Sequence, residues 1–167
     1  FVVLFDDELV METGATVYGA VNDIFIHADG FKKSITGPGL GNYLTVAKAL
    51  AATRNVIGEQ RTQCNSFVQA HGTGTPQNRV SESEILNRLA ATFGIEKWPV
   101  VAIKSQLGHS VASASGDQII ASLGAWSENI LPEIAGVDQI ADDVATEHLD
   151  FLLEHREVAH ESMDAAI

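Results

Sequence analysis

Two short segments carry reactive side chains in a pattern that allows a single site. His71-Gly72-Thr73-Gly74-Thr75-Pro76 is followed, 33 positions after its histidine, by Lys104-Ser105-Gln106-Leu107-Gly108-His109. Each is a turn punctuated by Gly, Ser or Thr just after an apolar run that reads as a buried strand. In that setting a rigid strand fixes the backbone and small residues leave room for a ligand. An imidazole can donate a hydrogen bond to a carbonyl oxygen that becomes negative in a transition state. His109 stands just ahead of small residues that read as a helix, whose positive end favours a neutral ring. Lys104 follows the apolar Val100-Val101-Ala102-Ile103, so its ammonium is partly desolvated and needs an acidic partner. Thr73 and Thr75 alternate through the first turn, where hydroxyls stabilise loops through bonds to the backbone. The turn is not a Walker-type phosphate cradle, because no Gly-Lys-Ser/Thr follows at the required spacing.

The elements that must position these residues alternate in type. Phe1–Phe5 and Thr16–Ile26 are β-rich runs and read as strands, with Asp6–Gly14 a short helix or turn between them. Thr36-Gly37-Pro38-Gly39-Leu40-Gly41 reads as a loop, and Asn42 as the N-cap of a helix that runs to about Ile57. Ser66–Ala70 predicts the strand that delivers His71. Ile85, Leu86, Leu89, Ala90 and Phe93 mark one face of a helix that Gly94 ends. Val100–Ile103 predicts the strand that delivers Lys104, and a small-residue helix spans about Ala112–Ser127. Leu149–Leu153 is the last strand expected, and Glu154–Ile167 is acidic, poorly patterned and either helical or frayed. The alternation argues α/β, with helices covering both faces of a sheet.

Composition narrows the function classes. The 167 residues are 46% hydrophobic and 19% charged, as in a soluble globular protein, and no apolar run reaches the ~18 to 20 residues of a membrane span. Ten basic against 22 acidic residues give a net charge of −12, which disfavours nucleic acids and anionic membrane surfaces as partners. A single cysteine, Cys64, excludes an internal disulfide and suits a reducing cytoplasm. It is expected to be inert and partly buried at the start of the strand leading to His71. His148, His155 and His160 match no common zinc spacing and read as solvated.

The HGTGTP and KSxxGH segments, in this order and at this separation, make the chain resemble the decarboxylating β-ketoacyl-[acyl-carrier-protein] synthases of the thiolase-like superfamily. The resemblance spans most of the chain and includes the Ala-rich helix and Ile130-Leu131-Pro132-Glu133. It implies a layered αβαβα fold of two similar halves, with the chain supplying mainly the second. Residues 1–30 would close the first half, 31–153 would carry the two motifs, and 154–167 would form an acidic tail. It implies decarboxylative Claisen condensation of an acyl primer with malonyl on acyl carrier protein, in fatty-acid or polyketide synthesis, by a cytoplasmic homodimer without metal or organic cofactor. His71 and His109 would bind the malonyl thioester oxygen, and Lys104 would pair with Glu82, the acid eleven residues after the first histidine. Thr73 and Thr75 would bind the pantetheine arm.

The family's nucleophilic cysteine sits in an elbow upstream of HGTGT, and its Asn-Ser-Phe-Gly loop lies near the C-terminus. Neither is in these residues, which therefore read as a segment of a longer enzyme, inactive alone. Arg79 stands where an aspartate is common, and Gly116 arrives one residue late after His109. Both suggest a divergent bacterial subgroup. Two alternatives stay open: a non-catalytic, chain-length-factor-like partner subunit, and a non-decarboxylating thiolase, which would use a second cysteine.

Overall fold

The structure, a computed structural model, describes residues 2–29, 39–159 and 162–167. Four short strands form a fully parallel sheet: β1 (Ser66–Gln69), β2 (Trp98–Val101), β4 (Leu149–Phe151) and β6 (Ala165–Ala166), in the order β4-β2-β1-β6. The strands connect through helices, as parallel pairing requires. Helix α4 (Pro76–Phe93) carries the chain from β1 to β2, and α6 (Ala114–Glu128) lies between β2 and β4. α2 (Leu40–Ile57) and α3 (Glu59–Cys64) precede β1.

Alternation along the strands sorts the core onto two faces. Val68 and Ala70, with Trp98, Val100 and Ala102, pack on Leu50 of α2 and on Ile85, Leu86, Leu89 and Ala90 of α4. Phe67 and Val101 face the other way, toward Ala125 of α6, Leu131 and Leu152. Both faces of the sheet are therefore covered, which is why its central strands read as continuous apolar runs. The α/β expectation holds. Trp98 is fully buried, and its indole N–H reaches the Ser66 hydroxyl at 3.0 Å, so the large ring enters the core with its one polar atom satisfied.

Helix ends follow local chemistry, with corrections to three element boundaries. Thr75 caps α4 and Pro76 occupies its first turn, while Gly94 ends it in a left-handed conformation. α2 begins at Leu40 after Gly39, two residues ahead of the expected Asn42 cap. Residues 36–38 of the expected Gly/Pro loop lie outside the described residues. The strand before Lys104 spans Trp98–Val101, not Val100–Ile103. The helix expected from Ala112 is a 3₁₀ turn, Val111–Ser113, running into α6.

Three further expectations are corrected. The N-terminal runs form no strand among the described residues; only α1 (Asp7–Thr13), with Asp6 as its cap, matches. Their side chains are largely exposed: Val3, Leu4, Tyr18, Ile24 and Ile26 each keep more than two-thirds of their surface in water. β-rich composition fits a strand but cannot supply the neighbour whose N–H and C=O groups a strand must pair with. The described residues of the tail, in contrast, contribute to two sheets. β5 (Arg156–Glu157) pairs antiparallel with β3 (Ile130–Leu131), and β6 adds an edge to β1. Asp164 fastens that edge through the Arg61 guanidinium and a 2.7 Å bond from the Asn65 amide. The Arg61 hydrogen bond, foremost, holds the Asp164 carboxyl below the usual carboxylate range. Finally, Cys64 is exposed at the C-terminal end of α3, not partly buried in a strand. His155 is exposed as expected, although its Nδ1 accepts from Glu133 N–H; His148 is half-buried, and His160 lies outside the described residues.

No helix among the described residues is long and apolar enough to cross a membrane.

Candidate active site

β1 and β2 are adjacent and parallel, with Gln69 opposite Val101, so the residues that follow each strand emerge at one edge of the sheet. In open α/β sheets this carboxyl edge is where ligands sit. It brings His71 and Lys104 together: Lys104 Nζ lies 3.3 Å from His71 Nδ1. His109, at the end of the turn after α5 (Lys104–Leu107), completes the group. Its ring meets that of His71 edge to face, with centroids 5.5 Å apart and planes at 83°.

The hydrogen bonds set which nitrogen of each ring carries the proton. An ammonium has only donors, so His71 Nδ1 must accept from Lys104, and the proton of a neutral ring then sits on Nε2. Val111 N–H donates to His109 Nδ1 at 3.0 Å, which assigns the same tautomer there. Partial burial, and then the positive charge of Lys104, lower the His71 pKa against the opposing pull of Glu82, so neutral imidazole is favoured. Lys104 itself is only 8% exposed. Burial lowers its pKa, while Glu82 and, less strongly, Asp117 raise it.

Glu82 acts differently from the direct Lys104 partner expected of it. Its carboxylate accepts from His71 N–H at 2.7 Å, Gly72 N–H at 3.0 Å and the Asn78 amide at 2.8 Å. No ion pair joins it to Lys104 among the described residues; the link between the two is electrostatic, while the ammonium bonds His71. Glu82 therefore holds the backbone that carries the histidine. Asn78, four residues earlier on α4, holds Glu82 in turn, a neighbour that helical spacing alone could have identified.

Local backbone chemistry explains the turn residues. Gly72 has φ +54°, and a Cβ there would stand 2.5 Å from that of Ala102, so only glycine lets the two strand ends close up. Thr75 Oγ1 accepts from Asn78 N–H at 3.4 Å and keeps its own O–H to donate. Thr73 is half-buried between the two glycines. Val111, two residues after His109, has φ +58°, a conformation that costs a β-branched residue about 1 to 3 kcal/mol. Arg79, the other departure, forms a two-pronged surface pair with Asp143, at 2.9 and 2.8 Å. Cys64 precedes β1 and the histidines follow it, so the chain's one cysteine lies at the opposite end of the strand from the site.

Comparison with known proteins places the chain in a family. Residues 18–138 match the family described as beta-ketoacyl synthase, C-terminal domain. Over 149 residues the chain is 56% identical to the beta-ketoacyl-[acyl-carrier-protein] synthase FabY of Pseudomonas aeruginosa, covering 89% of this chain and 24% of FabY. The crystal structure of that ketosynthase superposes with a TM-score of 0.91 at 50% identity, covering 96% of this chain and 25% of that one. A beta-ketoacyl synthase from Burkholderia phymatum, 21% identical with a TM-score of 0.71, shares the fold. The chain thus spans about a quarter of the length of FabY.

Proposed function

The chain belongs to the β-ketoacyl synthase family, matching its C-terminal domain, and on that premise we propose that the protein carrying it joins an acyl primer to malonyl by decarboxylative Claisen condensation. Both groups are brought as thioesters of acyl carrier protein. A cysteine thiolate outside these 167 residues attacks the primer thioester and expels the carrier thiol. The malonyl thioester then loses carbon dioxide, and the electron pair of the broken C–C bond moves into an enolate. The enolate carbon attacks the cysteine-bound acyl group, and collapse of that adduct returns the thiolate and yields a β-ketoacyl thioester.

The observation that carries this reading is the pair of neighbouring imidazoles whose Nδ1 atoms are both occupied, by Lys104 and by Val111 N–H, so that each ring has Nε2–H as the donor it can offer, and the reading assigns both donors to one oxygen. Donors fixed before charge develops stabilise the enolate with no reorganisation during the reaction. Lys104 keeps His71 in the donating tautomer, and Glu82 keeps its backbone in place. Thr73 and the O–H of Thr75 suit the amides of a pantetheine arm. On the same reading, residues 1–30 close the first half of a two-half fold, 31–153 carry the chemistry and 154–167 seal the sheet edge. The exposed apolar side chains of the N-terminal arm, residues 2–26, support this, as a surface that further sheet or a second subunit would cover. We place the enzyme in the cytoplasm as a homodimer.

The test is condensation of acyl- and malonyl-carrier protein, followed by mass spectrometry of the carrier-bound product. The full-length protein is expected to form the β-ketoacyl thioester with loss of one carbon dioxide. The isolated 167 residues are expected to form none and to self-associate by light scattering. Turnover by the isolated chain would contradict an external nucleophile, and no product from the full-length protein would favour a non-catalytic subunit.

A further inference from the structure

We propose that Asp117 and Gln118, on the first turn of α6, are positioning residues that hold the two histidine-bearing loops at a fixed separation; this rests on the condensation reading above. Gln118 Nε2 donates to the carbonyl of Ala70 at 2.7 Å and to that of Gln69 at 3.3 Å, the last two residues before His71. The Asp117 carboxylate accepts from the hydroxyl of Ser110, the residue after His109. One helical turn therefore holds the residue before one histidine and the residue after the other.

Packing does not account for either side chain. Ala114, Ser122 and Ala125 form the buried stripe of α6, and Gln118 stands four residues from both Ala114 and Ser122 on that stripe. A small residue there would pack as its neighbours do; the amide adds a donor aimed at main-chain acceptors that the strand ladder leaves open at its end. Asp117 also ties down a loop under strain at Val111, and its negative charge favours the ammonium form of Lys104, which holds the His71 tautomer. Two donors serving one developing oxyanion must each stay near 3 Å from it, and misplacement by an ångström can cost on the order of 100-fold in rate. Neither residue touches the reacting atoms, so the effect runs through the histidines.

The test uses the full-length protein. Gln118→Met keeps length and volume but loses the donor, and Gln118→Glu keeps the shape with acceptors where donors are needed. Both are expected to slow carbon dioxide release from malonyl-carrier protein on the order of 10- to 100-fold, with primer loading on the cysteine and the KM for malonyl carrier within about twofold of native. Asp117→Ala should lose comparably, and Asp117→Asn, which still offers Ser110 an acceptor, should recover most of the rate. If Gln118→Met fails to fold, the Asp117 pair decides the matter. Native decarboxylation in Gln118→Met and Asp117→Ala would overturn the proposal, as would primer loading that falls in step with carbon dioxide release, the mark of a general packing defect. A native protein that loads primer but releases no carbon dioxide would overturn the condensation reading itself, and this inference with it.

Discussion

In the full-length protein, replacing His71 or His109 with alanine is expected to slow carbon dioxide release from malonyl-carrier protein by about 100- to 1,000-fold, or about 3 to 4 kcal/mol. Transfer of the primer to the cysteine should remain comparatively intact. The asymmetry follows from where charge develops. Primer transfer is carried by the thiolate, whereas decarboxylation places a full negative charge on the thioester oxygen, which the two Nε2–H groups would meet. Each imidazole is held by a different partner, Lys104 for His71 and Val111 N–H for His109, so neither can take over the other's position. Radiolabelled primer loading measured beside carbon dioxide release separates the two steps. Undiminished release in both variants would remove the histidines from the chemistry.

A second large effect is expected at Glu82. Glu82→Ala removes the acceptor for two backbone N–H groups and the Asn78 amide, and it leaves the buried Lys104 without its main opposing charge. Hydrogen bonds to an ionised acceptor are worth roughly 1.5 to 3 kcal/mol each, so the folded state should lose several kcal/mol and decarboxylation should collapse with it. Glu82→Gln keeps one carbonyl acceptor for His71 N–H and should recover part of the stability. Lys104→Met combined with Glu82→Gln should cost less than the two single changes added together, because removing the charge relieves the site of an uncompensated cation. Urea denaturation of the four proteins gives the stability arm and carbon dioxide release the catalytic one. Additive losses would show that the field between the two groups has no energetic weight.

Most of the site was legible because its chemistry sits in contiguous segments. His71 and Lys104 each follow an apolar run that can only be a buried strand, and two adjacent parallel strands put their following residues at one edge. α4 was equally legible in its apolar spacing and in Gly94 at its end, whereas its start, capped by Thr75 with Pro76 in the first turn, came from the structure. The role of Glu82 was harder to read: its distance in sequence from His71 fits an ion pair with Lys104 as well as a clamp on the main chain, and only the geometry separates them. The arm and the tail failed in opposite directions for one reason. Val2–Phe5 and Thr16–Ile26 have strand-like composition and no partner strand among the described residues, while Ala165-Ala166 has poor strand composition and gains one. Pairing is a long-range property: β6 is placed by Asp164 on Arg61 and by Ile167 backbone bonds to Phe67 and Gln69, none of which leaves a local signature. Gln118 left a fainter signal that is readable in hindsight, as a polar residue on an otherwise small and buried helical stripe.

The central claim is that both histidines present Nε2–H to the pocket as neutral rings, and nitrogen-15 spectra of histidine-labelled full-length protein at pH 8 test it without relying on turnover. The account expects the signals of His71 and His109, assigned through their alanine variants, to show a protonated Nε2 and a bare, hydrogen-bond-accepting Nδ1. A proton on Nδ1 of either ring would leave the oxygen facing a lone pair, and would contradict the account.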